Sequence, residues 1–239
     1  MTKAFGHGKL ASGSCKGQSD RPMQLSSKHT GAPSGRAGYW RISMEFNTFE
    51  LPGLLQVTPQ RFRDERGYFA ETFRLTTFRD HAGPVDFVQE NESLSARVGT
   101  IRGLHFQTEP FAQGKLVRCT AGALLDVAVD LRAGSPTFGR WAAVELTPEN
   151  GIQLWVPAGF AHGFCTLKPD TVINYKVTAY YSAAHDKGLA WNDPATGIRW
   201  PALADPESLS PKDRVQPLLA ELPEHFRYAA QPESPATCA

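Results

Sequence analysis

The strongest constraint on the fold is a period-two alternation of apolar and polar residues. In TVINYKVTAYY, residues 171–181, Ile173, Tyr175 and Val177 fall on one face of an extended chain, and polar side chains occupy the other. The run LLDVAVDLR within 123–132 alternates in the same way. Both runs predict strands, and in a closed sheet the face that carries Tyr175 would point inward.

Further short runs of strand-like residues are separated by turn residues, in a chain with 21 glycines and 18 prolines. They are 54–58, 68–72 after an Arg66-Gly67 turn, 87–95, 116–119, 141–146 and 152–156. Strands of this length and spacing favour an all-β sandwich or barrel. Short helices are expected near 76–81 and 211–221, the second with Ser210 as N-cap and Pro211 at its first position.

The 239 residues are enough for one large all-β domain or two small ones, and 41% hydrophobic with 21% charged residues is ordinary for a globular protein. Residues 1–43 hold seven basic residues and one acidic residue, whereas 44–239 hold 18 basic and 23 acidic. A mildly acidic main part argues against a nucleic-acid partner. No apolar run reaches the roughly 20 residues that span a membrane, so no membrane partner is expected.

Composition also divides the chain. Residues 1–43 are rich in Gly and Ser, basic and without apolar periodicity, so we expect a disordered extension, followed by one domain over 44–228 and a disordered tail over 229–239. The basic, acid-poor start is also typical of a transit peptide. We favour the interpretation that Met44 is the true start and that the upstream residues come from an over-long reading frame.

The cysteines are Cys15, Cys119, Cys165 and Cys238, and no two have the spacing of a metal or redox motif. Cys119 and Cys165 lie in strand-like runs, where we expect buried thiols. The absence of a disulfide framework in the sequence favours a reducing cytoplasm.

The chemistry concentrates in GTIRGLHFQTEPFAQGK, residues 99–115. Glycines and a proline break any helical period, so the segment predicts a strand that runs into a loop, where polar groups converge on a pocket. Its polar side chains are Arg102, His105, Gln107, Gln113 and Lys115.

A second segment, GIQLWVPAGFAHGFC at 151–165, pairs with the first. The patterns G-x5-H-x-Q and G-x5-P-x-G-x2-H resemble the two motifs of the cupin jelly-roll barrel. The resemblance implies an all-β, cupin-like double-stranded β-helix with a few short helices. Metal-binding cupins carry H-x-H and then Glu, whereas this chain has Gln107 in place of the second His and Thr166 where the second motif ends in Asn.

From about residue 45 to 226 the chain resembles the dTDP-4-dehydrorhamnose 3,5-epimerase family, whose members invert two carbons in dTDP-L-rhamnose synthesis. Ten segments in the same order carry the resemblance: DERGYFAETF, QEN, RGLHFQ, QGKLVR, DVAVDLR, SPTFG, PAGFAHGF, NYK, WNDP and LSPKD.

The resemblance implies a reaction in which protons leave carbons beside a ketone and return to the opposite face. His105 matches the family's base, Asp213 the carboxylate that orients it, Tyr175 the acid, and Lys115 the charge that stabilises the enolate. Without the resemblance each residue has a plainer interpretation: a structural histidine, a helix-start carboxylate, a core tyrosine or a solvated lysine.

The resemblance also implies substrate contacts, with arginines on phosphate, amides and a carboxylate on thymine and ribose, an aromatic ring on the base, and His162 near the sugar. Asp186 stands where the family usually has Glu, so its side chain is one carbon shorter. The expected contacts are Arg66, Phe69, Glu71, Gln89, Asn91, Arg102, Gln113, His162, Asp186 and Lys212.

The resemblance further implies a homodimer that works without cofactor or metal on a dTDP-4-dehydro-6-deoxy sugar. Two alternative functions stay open: an enzyme that inverts only C3 or C5 for another deoxysugar, and a non-catalytic sugar-nucleotide-binding cupin. A metal-dependent cupin is more distant, because His105 and His162 supply two ligands where a catalytic site normally has three.

Overall fold

The computed structural model of the protein describes residues 43–229. Fifteen strands and one α-helix form this part of the chain, together with three single 3-10 turns, at Pro206–Ser208, Asp213–Val215 and Leu219–Glu221. The strands are β1 (Met44–Thr48), β2 (Leu55–Pro59), β3 (Phe62–Asp64), β4 (Gly67–Phe69), β5 (Gln89–Ser95), β6 (Ile101–Gln107), β7 (Lys115–Ala121), β8 (Leu124–Asp130), β9 (Arg132–Ala133), β10 (Trp141–Leu146), β11 (Gln153–Val156), β12 (Phe160–Thr166), β13 (Thr171–Val177), β14 (Asp186–Gly188) and β15 (Phe226–Arg227). The helix, α1, is Leu75–Ala82.

Two antiparallel sheets dominate. One has six strands in the order β1-β2-β11-β7-β13-β5, and the other has five in the order β10-β8-β12-β6-β14. Apart from β1 and β2, neighbouring strands in each sheet are not consecutive in sequence: β13 pairs with β7 and β5 on its two sides, and β12 with β8 and β6. This is the two-sheet arrangement of a jelly roll, which confirms the predicted all-β fold.

The space between the sheets holds the main core. In β7 Val117 belongs to this core, whereas its neighbour Leu116 packs on the outer face of the six-stranded sheet. In β8 Ala128 faces the core, and Val127 and Val129 pack on the outer face of the five-stranded sheet. Strand alternation therefore fixes which side chains enter the barrel.

Both outer faces are covered. Phe78 of α1 is fully buried on the outside of the six-stranded sheet, where its ring packs edge-on against Trp155. On the other side, Leu104 and Phe106 of β6 pack with Leu222 and Phe226 of the C-terminal segment. Because the barrel has an apolar layer on each outer face, its interior can hold polar side chains without loss of the fold.

Most of the predicted elements are confirmed, with ends that differ by at most four residues and, for the strand at 141–146, not at all. The helix expected near 76–81 is α1, and Cys119 and Cys165 are buried free thiols. The helix expected over 211–221 is wrong, since two separate 3-10 turns form there. Pro217 has no amide hydrogen to donate and disfavours helical geometry in the residue before it, which interrupts a longer helix.

The expected extension over 1–43 and tail over 229–239 lie outside the described residues, apart from Ser43 and Ala229. Within residues 43–229, no helix has the length and apolar character needed to cross a membrane.

Candidate active site

A histidine–carboxylate dyad forms between two elements that are distant in sequence. Nε2 of His105, on the interior face of β6, lies 2.5 Å from Oδ1 of Asp213, in the 3-10 turn at 213–215. Asp213 is almost fully buried. Burial opposes ionisation of its carboxyl, but hydrogen bonds from His105, Ser210 and the Gly103 amide outweigh burial and keep the pKa of Asp213 below its ordinary value.

The 3-10 turn that carries Asp213 is fixed at its start and beyond its end. The Asp213 amide donates to the hydroxyl of Ser210. The prediction of Ser210 as N-cap is wrong, however, because the turn begins at Asp213 and its N-cap position is Lys212. Further along, the Ala190 amide donates to the carbonyl of Pro217, and the buried Asp193 carboxylate accepts the Leu219 amide. These bonds hold the carboxylate of the dyad in place against β6.

Lys115 begins β7 and faces the interior, on the same side as Val117. Burial lowers the pKa of Lys115 to about 8, and the carboxylates of Asp186 and Asp126 resist this by favouring the ammonium form, whereas Lys212 adds to the lowering. A lysine in this setting carries a charge at neutral pH with little water around it. Such a charge is well suited to stabilise a developing oxyanion.

Tyr175 of β13 packs against the main core, on the face shared with Ile173, so the predicted inward orientation is confirmed. Burial raises the pKa of Tyr175, and the positive charge of Arg102 acts in the opposite direction. The phenol is therefore protonated at neutral pH and is able to donate a proton.

A second histidine–carboxylate pair lies directly beside the first. His162 of β12 stands opposite His105 of β6 in the strand register, and its Nε2 lies 2.8 Å from Oδ1 of Asp126 in β8. Both members are buried, and within residues 43–229 the second oxygen of Asp126 has no hydrogen-bond partner. Asp126 was not among the predicted site residues, although its place on the polar face of the alternating run LLDVAVDLR was a usable signal.

Close backbone contact sets this register. A Cβ on Gly103 would lie 2.6 Å from the Cα of Gly163, and a Cβ on Gly163 would lie 2.6 Å from the carbonyl oxygen of Arg102. The β6–β12 pairing shifts register between His162 and Phe164, where these glycines meet. Only residues without side chains allow the two strands to approach this closely.

The side chains converge on a cavity of about 410 Å³ between the two sheets. Six of the predicted site residues line this cavity. Three lie in the five-stranded sheet, two in the six-stranded sheet and one in the C-terminal segment: Arg102, His105 and His162; Lys115 and Tyr175; and Asp213. Apolar and small hydroxyl residues complete the wall: Ser93, Thr100, Ile101, Phe164, Ile173, Ser208 and Ser210. The serines were not predicted, because a lone serine in a strand or turn carries no distinctive signal.

Two of the predicted contacts lie beside this cavity. Lys212, next to the dyad's Asp213, forms an ion pair with Asp186 of β14, and this carboxylate also accepts a hydrogen bond from Tyr181. Lys212 directly precedes Asp213 of the cavity wall, and Asp186 stands opposite Gln107 of β6 in the strand register, two residues from His105.

The remaining predicted contacts are not in the cavity wall. Gln113 donates its amide to the carbonyl of Ala179, which anchors the loop before β7. Gln89 donates to Asn91 within β5, and Asn91 stands opposite Tyr175 in the strand register.

Three others lie in or after the β3–β4 hairpin. Phe69 is 61% exposed, Arg66 pairs with Asp64 at the turn, and Glu71 pairs with Arg74. The hairpin therefore offers an exposed cation and an exposed ring outside the catalytic cavity.

Over residues 43–229, no three His, Cys, Asp or Glu side chains converge as a metal-binding group. His105 and His162 each have a carboxylate partner on Nε2. The arrangement is chemically that of two imidazoles held by carboxylates, a half-buried ammonium and a protonated phenol around one cavity.

Comparisons with known proteins match the family that the sequence motifs resemble. The family model described as dTDP-4-dehydrorhamnose 3,5-epimerase matches residues 48–221. A dTDP-4-dehydrorhamnose 3,5-epimerase of Sinorhizobium fredii is 62% identical over 185 residues, which is 77% of this chain and 94% of the relative.

Solved structures agree in fold. A dTDP-6-deoxy-D-glucose-3,5-epimerase from Legionella pneumophila, in complex with dTDP-4-keto-L-rhamnose, has a TM-score of 0.74 and 40% identity, covering 79% of this chain and 100% of that one. A 3'-monoepimerase from Streptomyces bikiniensis, in complex with dTDP-quinovose, has a TM-score of 0.67 and 36% identity, covering 72% and 86%. The sequence, the jelly-roll barrel and the matched family together show that the chain belongs to the dTDP-4-dehydrorhamnose 3,5-epimerase family.

Proposed function

We propose that the protein is a 3,5-epimerase of dTDP-4-dehydro-6-deoxy-D-glucose, which it converts by proton transfer at the two carbons that flank the C4 ketone. The observation that carries this proposal is the placement of a base and an acid on opposite sheets. His105 is on β6 of the five-stranded sheet, and Tyr175 is on β13 of the six-stranded sheet. Inversion needs removal of a proton from one face of the sugar and delivery to the other.

In the proposed mechanism His105 takes the proton from the carbon next to the ketone, and Asp213 holds the imidazole and stabilises its charged form. The electron pair moves into an enolate, whose oxygen Lys115 stabilises. Tyr175 then donates its phenolic proton to the opposite face of the carbon. His105 then releases its proton to solvent and the Tyr175 phenolate takes one up from solvent. With both groups reset, the same steps invert the second carbon.

Further substrate contacts are proposed for residues both in the cavity wall and outside it. The guanidinium groups of Arg66 and Arg102 suit the diphosphate, and the exposed ring of Phe69 suits stacking on the base. The other proposed contacts are Glu71, Gln89, Asn91, Gln113, His162, Asp186 and Lys212. A dTDP-sugar bound to the Legionella relative supports this substrate class.

The test is deuterium uptake. The protein is incubated with dTDP-4-dehydro-6-deoxy-D-glucose in D2O, and C3 and C5 are followed by NMR against an enzyme-free control. We expect deuterium at both carbons and formation of the doubly inverted product. Binding without deuterium at either carbon would overturn the proposal in favour of a non-catalytic binding protein.

A single-carbon epimerase is the second candidate, because the Streptomyces bikiniensis relative, a 3'-monoepimerase, shares the fold at 36% identity. The same experiment separates the two candidates, since a monoepimerase would invert only one carbon. We further propose that the protein acts in dTDP-L-rhamnose synthesis in the cytoplasm as a homodimer, for which a dimer mass by light scattering is the expected result.

A further inference from the structure

We propose that Ser95 is a positioning residue for substrate binding: its hydroxyl and the carbonyl of Leu94 hold Arg102 so that the outer end of the guanidinium faces the diphosphate. This inference rests on the proposed function. It concerns the last two residues of β5, at the edge of the six-stranded sheet, and Arg102 of β6 in the other sheet.

Two hydrogen bonds define the arrangement. Nε of Arg102 donates to Oγ of Ser95 at 3.0 Å, and Nη2 donates to the carbonyl oxygen of Leu94 at 3.0 Å. These two nitrogens form one edge of the guanidinium plane. The outer edge, formed by Nη1 and the second hydrogen of Nη2, has no hydrogen-bond partner among residues 43–229.

The anchor is buried, whereas the arginine that it holds is open to solvent. Ser95 is 3% exposed, so water competes little for its hydroxyl, and its backbone is paired with Thr171 of β13. Arg102 is exposed to solvent and lines the cavity. A free arginine side chain loses rotamer freedom when it is fixed, so a side chain already held by Ser95 binds its ligand at a lower entropic cost.

The charge distribution identifies the ligand group. Arg102 is an exposed cation of the cavity wall, whereas Lys115, the other cation in the wall, is largely desolvated. A diphosphate keeps most of its hydration only where the site is open to water, because burial of its two charges is costly. A guanidinium end with parallel N–H groups fits two phosphate oxygens.

The experiment measures dTDP affinity by calorimetry for the full-length protein and for Ser95→Ala, Arg102→Ala and the double variant. Without the Ser95 hydroxyl the Arg102 side chain must be ordered when the ligand binds, so we expect Ser95→Ala to weaken dTDP binding by about 3–10-fold. In the Arg102→Ala background the serine change should have no further effect on affinity. In turnover, Ser95→Ala should raise KM much more than it lowers kcat.

Ser135 provides a matched control, since its hydroxyl donates to Asp130, the partner of Arg132, outside the cavity wall. Ser135→Ala should lower the melting temperature without a change in dTDP affinity. Ser95→Thr keeps the acceptor oxygen and should keep the affinity. If Ser95→Ala does not fold, Ser95→Cys, which is close in shape and a weak acceptor, replaces it.

Wild-type affinity for dTDP in Ser95→Ala would overturn the inference, as would equal losses in the presence and absence of Arg102. A wild-type protein that does not bind dTDP would instead overturn the proposed function, so the two failures are distinguishable.

Discussion

The ionisable residues of the cavity have different tasks because their surroundings differ. His105 has a buried carboxylate partner, Lys115 is desolvated near two carboxylates, and burial keeps the phenol of Tyr175 protonated. One cavity thus presents a base, an oxyanion-stabilising charge and an acid at the same pH.

Substitution of the base and of the acid should give different defects. His105→Ala should abolish deuterium exchange at both C3 and C5, because no group remains to take the proton. Tyr175→Phe should allow exchange and block full inversion, because the enolate forms but receives no proton on the far face. NMR in D2O measures both. Normal turnover by His105→Ala would show that the base is wrongly assigned.

The pH dependence of kcat should reflect the ionisation of Lys115. Its pKa of about 8 means that the ammonium form predominates below this pH and is lost above it, so kcat should fall as pH rises through about 8. Lys115→Met should lower kcat by about 10²–10³-fold, the effect of removing one oxyanion-stabilising group. Lys115→Arg keeps its charge to higher pH, and persistence of the fall near pH 8 in that variant would contradict the assignment.

At the scale of elements, the closeness of β6 and β12 determines the site. The two histidines stand opposite one another because Gly103 and Gly163 let the strands meet. The turn that carries Asp213 is tied to the five-stranded side by the Ala190 amide.

Gly103→Ala should therefore destabilise the protein. Its new Cβ would lie 2.6 Å from the Cα of Gly163 and 2.9 Å from the His162 carbonyl oxygen. Both are backbone atoms of a paired strand, and a shift of that strand would cost stability. Gly67 is a matched control, with a φ of 133° against 120° and open space around the added Cβ. By denaturant unfolding, Gly103→Ala should cost about 1–3 kcal/mol more than Gly67→Ala, and an equal cost would show that the close contact is unimportant.

At the scale of the whole molecule, we propose that residues 44–228 are the folding and catalytic unit. The family match spans 48–221, and the described sheets begin at Met44 and end at Arg227. A chain limited to 44–228 should keep the melting temperature within a few degrees and the kcat within about twofold. Within residues 43–229 the truncation removes the two hydrogen bonds of Ser43 with Gln60, which lie at an exposed chain end. A large fall in either quantity would assign a structural role to the removed ends.

The sequence by itself determined the strands, since alternation with period two places Ile173, Tyr175 and Val177 on one face whatever the tertiary fold. The family motifs also identified His105 and Asp213 as the base and its carboxylate partner, although these residues are 108 positions apart.

Only the tertiary structure decided what these residues meet. The pairing of β6 with β12 brings His105 opposite His162, β8 supplies Asp126, and the end of β5 reaches across to Arg102. Local sequence cannot specify such contacts. Alternation determines on which face of a strand a side chain lies, but it does not determine which strand pairs beside it. The partner strand follows from how two sheets close around a common core, which depends on the packing of the whole chain.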